Sequence, residues 1–314
     1  DQRTTVRCRH SRDNGKRWDD PVTIADWPAG ELTNASLLQI RSGDLLVFFN
    51  ARPRRRSREE TPYAIRMARS ADSGKTWSKP VTLYEAGTKF GDGCWEPAAI
   101  ELEDREIQVY FANEGPYRDS NEQEITMLRS RDRGRTWGRP EQISFRKGCR
   151  DGMPSPLVLA GGCGIAVAIE DNGLNGEFKP IIIHTTLQDN WRSGAIGDKS
   201  LQRWGALKPP LLPKVYAGAP HLVQLEDGRT LLSFQQSSGG LGSCRMVVYV
   251  GDATTRDFSA PSYPFPQAPG TTQLWNALLV KDKSTVTAIS QTTRNGVRGI
   301  WTIDGKVSVA VPSR

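Results

Sequence analysis

Histidine is scarce in this chain of 314 residues: His10, His184 and His221 lie far apart and form no His-Glu-x-x-His pair. That excludes a helix-borne zinc centre of the protease type. The five cysteines (Cys8, Cys94, Cys149, Cys163 and Cys244) are odd in number and contain no Cys-x-x-Cys. Neither a disulfide framework nor a zinc site is expected from them, and no metal and no organic cofactor is expected. No run of about 18 apolar residues occurs, so no transmembrane helix and no membrane partner is expected. A signal-peptide pattern is also missing. The opening on Asp1 reads as a processed or trimmed form, and the expected location is secreted or periplasmic. Two glycine clusters, Gly161-Gly162-Cys163-Gly164 and Gly239-Gly240-Leu241-Gly242, lack the following helix that a phosphate loop needs.

The net charge is +7, with the densest basic run at Arg52-Pro53-Arg54-Arg55-Arg56-Ser57-Arg58. Glu59 and Glu60 follow at once, and no RNA-binding or helix-turn-helix pattern accompanies the run. It reads as a solvated loop, or more sharply as an anion-binding loop over a pocket. No nucleic-acid partner is expected.

What is abundant is a repeat. Ser70-Ala71-Asp72-Ser73-Gly74-Lys75-Thr76-Trp77 reads Ser-x-Asp-x-Gly-x-Thr-Trp, and Ser130–Trp137 matches it at every fixed position. Ser11–Trp18 matches with Arg17 in place of Thr, and the starts lie 59 and 60 residues apart. Such a period settles the architecture before anything else. The chemistry is that of a turn. Asp accepts from nearby amides, Gly supplies φ > 0, Ser or Thr adds a local bond, and Trp pins the turn with its large area. The pattern resembles the Asp-box of sialidase-type β-propellers. That resemblance implies an all-β, six-bladed β-propeller, here one domain over 1–314 with its first blade incomplete.

Apolar runs bounded by Gly, Asp and Pro then mark four strands, A to D, per blade. The first unit has only C and D strands, near Thr5–His10 and Pro21–Ala25. The second runs Ala35–Ile40, Leu45–Asn50, Ala64–Arg69 and Val81–Glu85, and the third Pro97–Leu102, Ile107–Ala112, Ile125–Arg129 and Gln142–Phe145. The fourth has Met153–Leu159, Gly164–Glu170 and Pro180–Thr185, with a degraded box at Gln188-Asp189-Asn190-Trp191. The fifth has His221–Leu225, Thr230–Gln235 and Arg245–Val250, with a remnant box near Asp252–Phe258. The sixth runs Leu274–Val280, Thr285–Ser290, Gly299–Ile303 and Val307–Val311.

In such a blade, A-strand starts and B-strand ends meet at one rim, where a ligand pocket is expected. Amides, acids and aromatics gather there. The candidate ligand-binding residues are Asn34, Arg52, Trp95, Asp151, Asp171, His221, Gln235, Trp275 and Asn276. Aromatic faces take the C–H surfaces of sugars, amides bond hydroxyls, and paired carboxylates act on a glycosidic bond. The candidate acids are Glu96 in Cys94-Trp95-Glu96-Pro97, Glu170 at the end of the apolar run Ile165–Ile169, and Glu114. For Glu114 the competing expectation is an exposed loop acid. Asp171 beside Glu170, together with burial, is expected to raise the pKa of Glu170. Trp95 and Trp275 are as readily core as platform.

The Asp-boxes are shared with exo-sialidases, which also carry an Arg-Ile-Pro motif and a late Tyr-Ser pair. This chain has no Arg-Ile-Pro, and Leu274-Trp275-Asn276 stands where the pair is expected. Trp95-Glu96-Pro97, Ile107–Glu114 and Asp151-Gly152-Met153-Pro154, leading on to Glu170, are more similar to glycoside hydrolase family 93, the exo-arabinanases. Arg150-Asp151-Gly152 departs from that family, where a Pro precedes the Gly. The resemblance implies a secreted, monomeric exo-acting glycosidase on a plant or microbial oligosaccharide or polysaccharide, arabinan-type. Its mechanism would be retaining, with Glu96 and Glu170 as catalytic pair and Glu114 in reserve. An exo-sialidase or other acidic-sugar hydrolase is the alternative enzyme, and a non-catalytic glycan-binding propeller is the alternative of another class.

Overall fold

The repeat folds as an antiparallel meander in which each strand pairs with the next in sequence. The computed structural model describes residues 4–54 and 61–307, so Arg55–Glu60 of the basic run lie outside the described residues. Regular structure among them is strand, apart from three short 3-10 turns, and no α-helix occurs. The chain divides into two compact units, Asp1–Gly148 and Cys149–Arg314.

The first unit holds a two-stranded ribbon, β1 (Val6–Cys8) with β2 (Val22–Ala25), and two four-stranded blades. The blades are β3 (Gly30–Gln39), β4 (Leu45–Pro53), β5 (Ala64–Ser70), β6 (Val81–Glu85), and β7 (Cys94–Glu101), β8 (Ile107–Asn113), β9 (Glu124–Ser130), β10 (Glu141–Ser144). The second unit holds three blades. They are β11 (Asp151–Leu159), β12 (Gly164–Asn175), β13 (Glu177–Thr185), β14 (Arg203–Gly205); then β15 (Tyr216–Gln224), β16 (Thr230–Ser237), β17 (Arg245–Gly251), β18 (Ser259–Ser262); then β19 (Leu274–Val280), β20 (Thr285–Arg294), β21 (Val297–Lys306).

The fold class is the all-β propeller, but among the described residues the blades number five rather than the expected six. Among the described residues the first repeat forms a two-stranded ribbon, β1 with β2. Its β1 and β2 instead give Val6, Ile24 and Ala25 to a core shared with Val47, Phe49, Ala51, Ala64 and Ala68. The last sheet has three strands among the described residues, and the strand expected at Val307–Val311 lies outside them after Val307.

The second strands β4, β8, β12 and β16 are covered on both faces over most of their length, so they read as largely apolar runs. Side chains alternate along each. In β16, Leu232 and Phe234 join Ala166, Ala168 and Ile182 of the preceding blade. Leu231 faces the other way, toward Leu278, Val286 and Ala288 of the following one. This alternation decides which polar residue at the strand end reaches which neighbour.

The turns explain the period. Asp13, Asp72 and Asp132 each accept the amide of the residue four positions on, at 2.8, 2.9 and 2.8 Å. In the second and third boxes a threonine hydroxyl adds a bond of 2.6 Å to the same carboxylate. Asp72 and Asp132 are held down to about 2, chiefly by those hydroxyls. Asp189 and Asp252 make the same reach, to Ser193 and Arg256, at 3.0 and 2.9 Å. The two boxes that look degraded therefore keep the carboxylate and its geometry. Buried Phe258 ends the second of them, where the intact boxes carry Trp.

Candidate active site

The inner strand of every blade carries one bulge at the same place. Pairing shifts between Thr33 and Ser36, Trp95 and Ala98, Gly152 and Ser155, Gly218 and His221, and Leu274 and Ala277. The first residue of each bulge has a left-handed backbone: Asn34 at φ 54°, Glu96 at 48°, Met153 at 48°, Ala219 at 53° and Trp275 at 51°. None is glycine, so each position is strained, and bulges of this kind re-aim a side chain. Four inner strands start before the expected Ala35, Pro97, Met153 and His221, because the bulge interrupts the apolar pattern there, while β19 starts at Leu274 as expected.

Opposite the residue that precedes the bulge, the second strand places Asn50, Ala112, Glu170, Gln235 and Gln291. Three of these grip the bulge of the next blade. Asn50 Oδ1 accepts from the Glu96 amide at 2.9 Å, Glu170 Oε2 from the Ala219 amide at 2.8 Å, and Gln235 Oε1 from the Trp275 amide at 3.0 Å. In the second unit a second grip comes from the inner strand itself, just past its bulge. Ser155 Oγ accepts from the Leu222 amide at 3.0 Å, and the His221 ring Nδ1 accepts from the Leu278 amide at 3.3 Å. Burial pushes His221 down to about 4, so it is neutral when it accepts that bond.

Glu170 is thus a carboxyl where sister blades use amides. Burial pushes it up to about 7, against the Ala219 bond and the Arg150 charge, which both lower it. Asp171 does not drive the shift. Both Asp171 and Asp151 are fully buried on Arg203: Asp151 binds at 2.9 and 2.5 Å and Asp171 at 2.8 Å. The expected charge effect of Asp171 fails because the guanidinium neutralises it. Two further residues complete the surroundings of Glu170. A Cβ added at Gly218 would sit 2.4 Å from Glu170 Oε2 and 2.4 Å from the Tyr216 hydroxyl oxygen, so both oxygens occupy the notch that this glycine leaves. Gln235 Nε2 donates to the Tyr216 hydroxyl at 3.1 Å. Burial and then the Glu170 charge push the Tyr216 phenol up. The second unit therefore places Glu170 and Tyr216 at one notch, with Gln235 bonded to the Tyr216 hydroxyl and to the Trp275 amide.

The other candidates divide between core and surface. Trp95 is buried against Tyr63 and Phe90, with Arg52 at 4.9 Å from its ring, so it is core. Its Nε1 donates to Glu114 Oε2 at 2.9 Å. Glu114 is buried, which corrects the exposed loop acid expected of it. Arg52 Nη2 donates to Asn34 Oδ1 at 2.5 Å. Glu96 is partly buried at its bulge. Trp275 is 52% exposed, and Asn276 beside it is buried. Tyr216, Gly218 and Arg203 escaped the sequence reading. Tyr216 lies ahead of the strand start assigned at His221, and Arg203 lies on a three-residue strand without apolar alternation. Among the described residues no group of three His, Cys, Asp or Glu side chains is placed to hold a metal. A groove of about 690 Å³ in the second unit is lined by Leu231, Val248, Leu278, Val286 and Ile303 and contains none of the candidate residues.

A family model described as a BNR repeat-like domain matches residues 43–216, more than half of the chain. No curated protein matches the sequence significantly. Among solved structures, a protein of unknown function from Dyadobacter fermentans superposes with a TM-score of 0.74 at 17% identity, covering 97% of this chain and 84% of that one. The α-L-arabinanase of Penicillium chrysogenum, complexed with arabinobiose, gives 0.71 at 16% identity, covering 96% and 85%. The Hadza microbial sialidase Hz136 gives 0.64 at 14% identity, covering 96% and 59%. At these identities the likeness is one of fold.

Proposed function

We propose, from the premise that this chain belongs to the BNR repeat-like domain family, that it is a glycosidase whose proton donor is Glu170. One observation carries the reading. A carboxyl stands at a position that Asn50 and Gln235 fill with amides in sister blades, and burial holds it up to about 7. A neutral amide would make the Ala219 grip without that electrostatic cost, as Asn50 and Gln235 do in sister blades, so an amide suffices for structure. What the carboxyl adds is a proton deliverable near neutral pH, the requirement for protonating a leaving glycosidic oxygen.

The fuller proposal is an exo-acting, retaining enzyme on arabinan-type glycans, with Glu96 as the second carboxylate and Glu114 in reserve. Its support is the motif likeness and the fold shared with the Penicillium arabinanase. Glu96 occupies a strained bulge position, the kind of backbone that clusters at functional sites. In a retaining reaction the second carboxylate attacks the anomeric carbon as the acid protonates the leaving group, and water then releases the sugar.

A second reading, hydrolysis of an acidic sugar, is favoured by Arg52, whose hydrogen-bond partner is the Asn34 amide rather than a carboxylate. The test is a hydrolysis screen on synthetic arabinosides and sialosides with product configuration read by NMR. Release of arabinose with retention supports the first reading, and release of sialic acid supports the second. No turnover of either class by a folded protein overturns the glycosidase proposal.

A further inference from the structure

The last blade differs from the others at its bulge. The first bulge position holds Asn34, Glu96, Met153 and Ala219 in four blades, and Trp275 in the fifth. The second position holds Ala35, Pro97, Pro154 and Pro220 in four blades, and Asn276 in the fifth. Only this bulge joins an indole to an amide, and neither behaves as a structural residue should.

Trp275 keeps a left-handed backbone at φ 51° yet leaves 52% of its surface in solvent. Its bulk therefore does little for the core, while its backbone bears strain that glycine would relieve. Asn276 is 7% exposed, and neither its side-chain oxygen nor its nitrogen has a hydrogen-bond partner among the described residues. A buried amide without partners destabilises the folded chain. The three prolines and the alanine at the sister positions show that the bulge forms without an amide. Gln235, fully buried, holds the strand in place through two bonds. Its oxygen accepts from the Trp275 amide at 3.0 Å, and its nitrogen donates to the Tyr216 hydroxyl at 3.1 Å, beside Glu170.

We infer that Trp275 and Asn276 form a subsite for a neutral saccharide, and that Gln235 is its positioning residue. The indole offers a flat apolar face to the C–H surface of a sugar ring. The Asn276 amide carries a donor and an acceptor for neighbouring hydroxyls, reached when the half-exposed indole turns onto the ring. Indole and amide are both uncharged, and they supply the apolar face and the hydroxyl partners that a neutral sugar uses. Gln235 sets the distance between this subsite and the Glu170 acid, because it bonds the backbone of one and the hydroxyl beside the other. The inference rests on the glycosidase reading for its chemistry but is tested by binding.

The experiment uses the full chain carrying Glu170→Gln, so that nothing is turned over. Calorimetry is run with neutral arabino-, xylo-, galacto- and gluco-oligosaccharides, and with sialyllactose as the charged comparison. At least one neutral probe is expected to bind more tightly than sialyllactose. Adding Trp275→Ala should weaken it about tenfold or more. Asn276→Ala should weaken it about fivefold while leaving the melting temperature unchanged or higher, since no internal bond is lost. Gln235→Leu should weaken it as Trp275→Ala does, and Gln235→Glu, which keeps the acceptor for the Trp275 amide, should restore it. Binding indifferent to Trp275→Ala, or no neutral probe bound, overturns the subsite. Asn276→Ala that lowers the melting temperature and spares affinity also overturns it, because the amide would then serve the fold. Wild-type protein that binds through Trp275 but hydrolyses nothing leaves the subsite standing and removes the glycosidase reading. Turnover with a KM untouched by Trp275→Ala does the reverse.

Discussion

Two neighbouring blades of the second unit make the same grip with different chemistry. In the β11–β14 blade a carboxyl, Glu170, accepts the Ala219 amide at 2.8 Å; in the β15–β18 blade an amide, Gln235, accepts the Trp275 amide at 3.0 Å. Register and length are alike, so backbone geometry does not choose between acid and amide. The choice shows in the cost. Gln235 is neutral at every pH, whereas Glu170 must either hold a proton or carry a buried charge. A sister position fills the same role with an amide, and the glycosidase proposal rests on that contrast. The second grip repeats the lesson with Ser155 and His221.

The comparison is broken most directly by making the two positions alike. Glu170→Gln should lower turnover by about 10³-fold, within the span usual for an acid–base group, while the fold strengthens above pH 7. The sign follows from the raised pKa. The folded state prefers the protonated carboxyl, so wild-type stability falls as pH climbs from about 4.5 to about 7. The variant has no such slope, and the gap at pH 8 should be about 1–3 kcal/mol. Chemical denaturation at pH 5 and pH 8 reads it, and equal gaps at the two values would falsify the assignment.

The reverse exchange, Gln235→Glu, imports the cost without the benefit. Stability at pH 8 should drop by about 1–3 kcal/mol and recover toward pH 5 as the new acid takes up a proton. A variant equally stable at both values would mean that this grip is wetter than that of Glu170.

His221→Ala sharpens the second pair of grips. The depressed imidazole contributes stability that is present above about 6.5 and lost as pH falls through about 4. The variant should lose about 1–2 kcal/mol at pH 7 for the orphaned Leu278 amide, and its acid slope should be shallower. Ser155→Ala is the control, with a loss of similar origin and no change of slope. Hydrogen exchange at Leu278 and Leu222 reports each grip separately.

The smallest effect is expected far from the grips. Asp72→Ala removes a turn carboxylate held down to about 2, whose contribution is present above about 4 and lost as pH falls through about 2. A thermal midpoint lower by about 2–4 °C with unchanged turnover separates turn from site. Lost activity in a folded variant would join them.

Much of this architecture is readable in the chain. Asp72 and Asp132 announce their turns because the reach to the residue four positions on is local. Val81–Glu85 and Leu274–Val280 match observed strands at both ends, because turn residues bound them. Asp189 and Asp252 are harder to read. Their carboxylates make the same bond, but Ser193 and Arg256 replace the threonine and the glycine is absent, so the pattern fades while the physics persists. The site was partly visible. Glu170 stands out as an acid ending an apolar run. Trp95 and Glu114 were placed at a rim but are buried together, since an indole N–H beside a carboxylate lets both leave water. Tyr216, Gly218 and Arg203 act through contacts with residues 19 to 52 positions away, and no local spacing marks them.

The sequence by itself determined the class of fold, the period and the turns, because these rest on interactions within a few residues. It also determined which second strands are apolar, because a strand covered on both faces must be. Only the tertiary structure decided which polar side chain does what. Glu170, Asp171 and Asp151 look alike as acids near strand ends. Asp151 and Asp171 are neutralised by Arg203, while Glu170 accepts the Ala219 amide at the Gly218 notch, and burial there outweighs that bond and the Arg150 charge. The protonation of a carboxyl depends on the charges and the water around it, and those are set by neighbouring strands and blades rather than by the next residue along the chain.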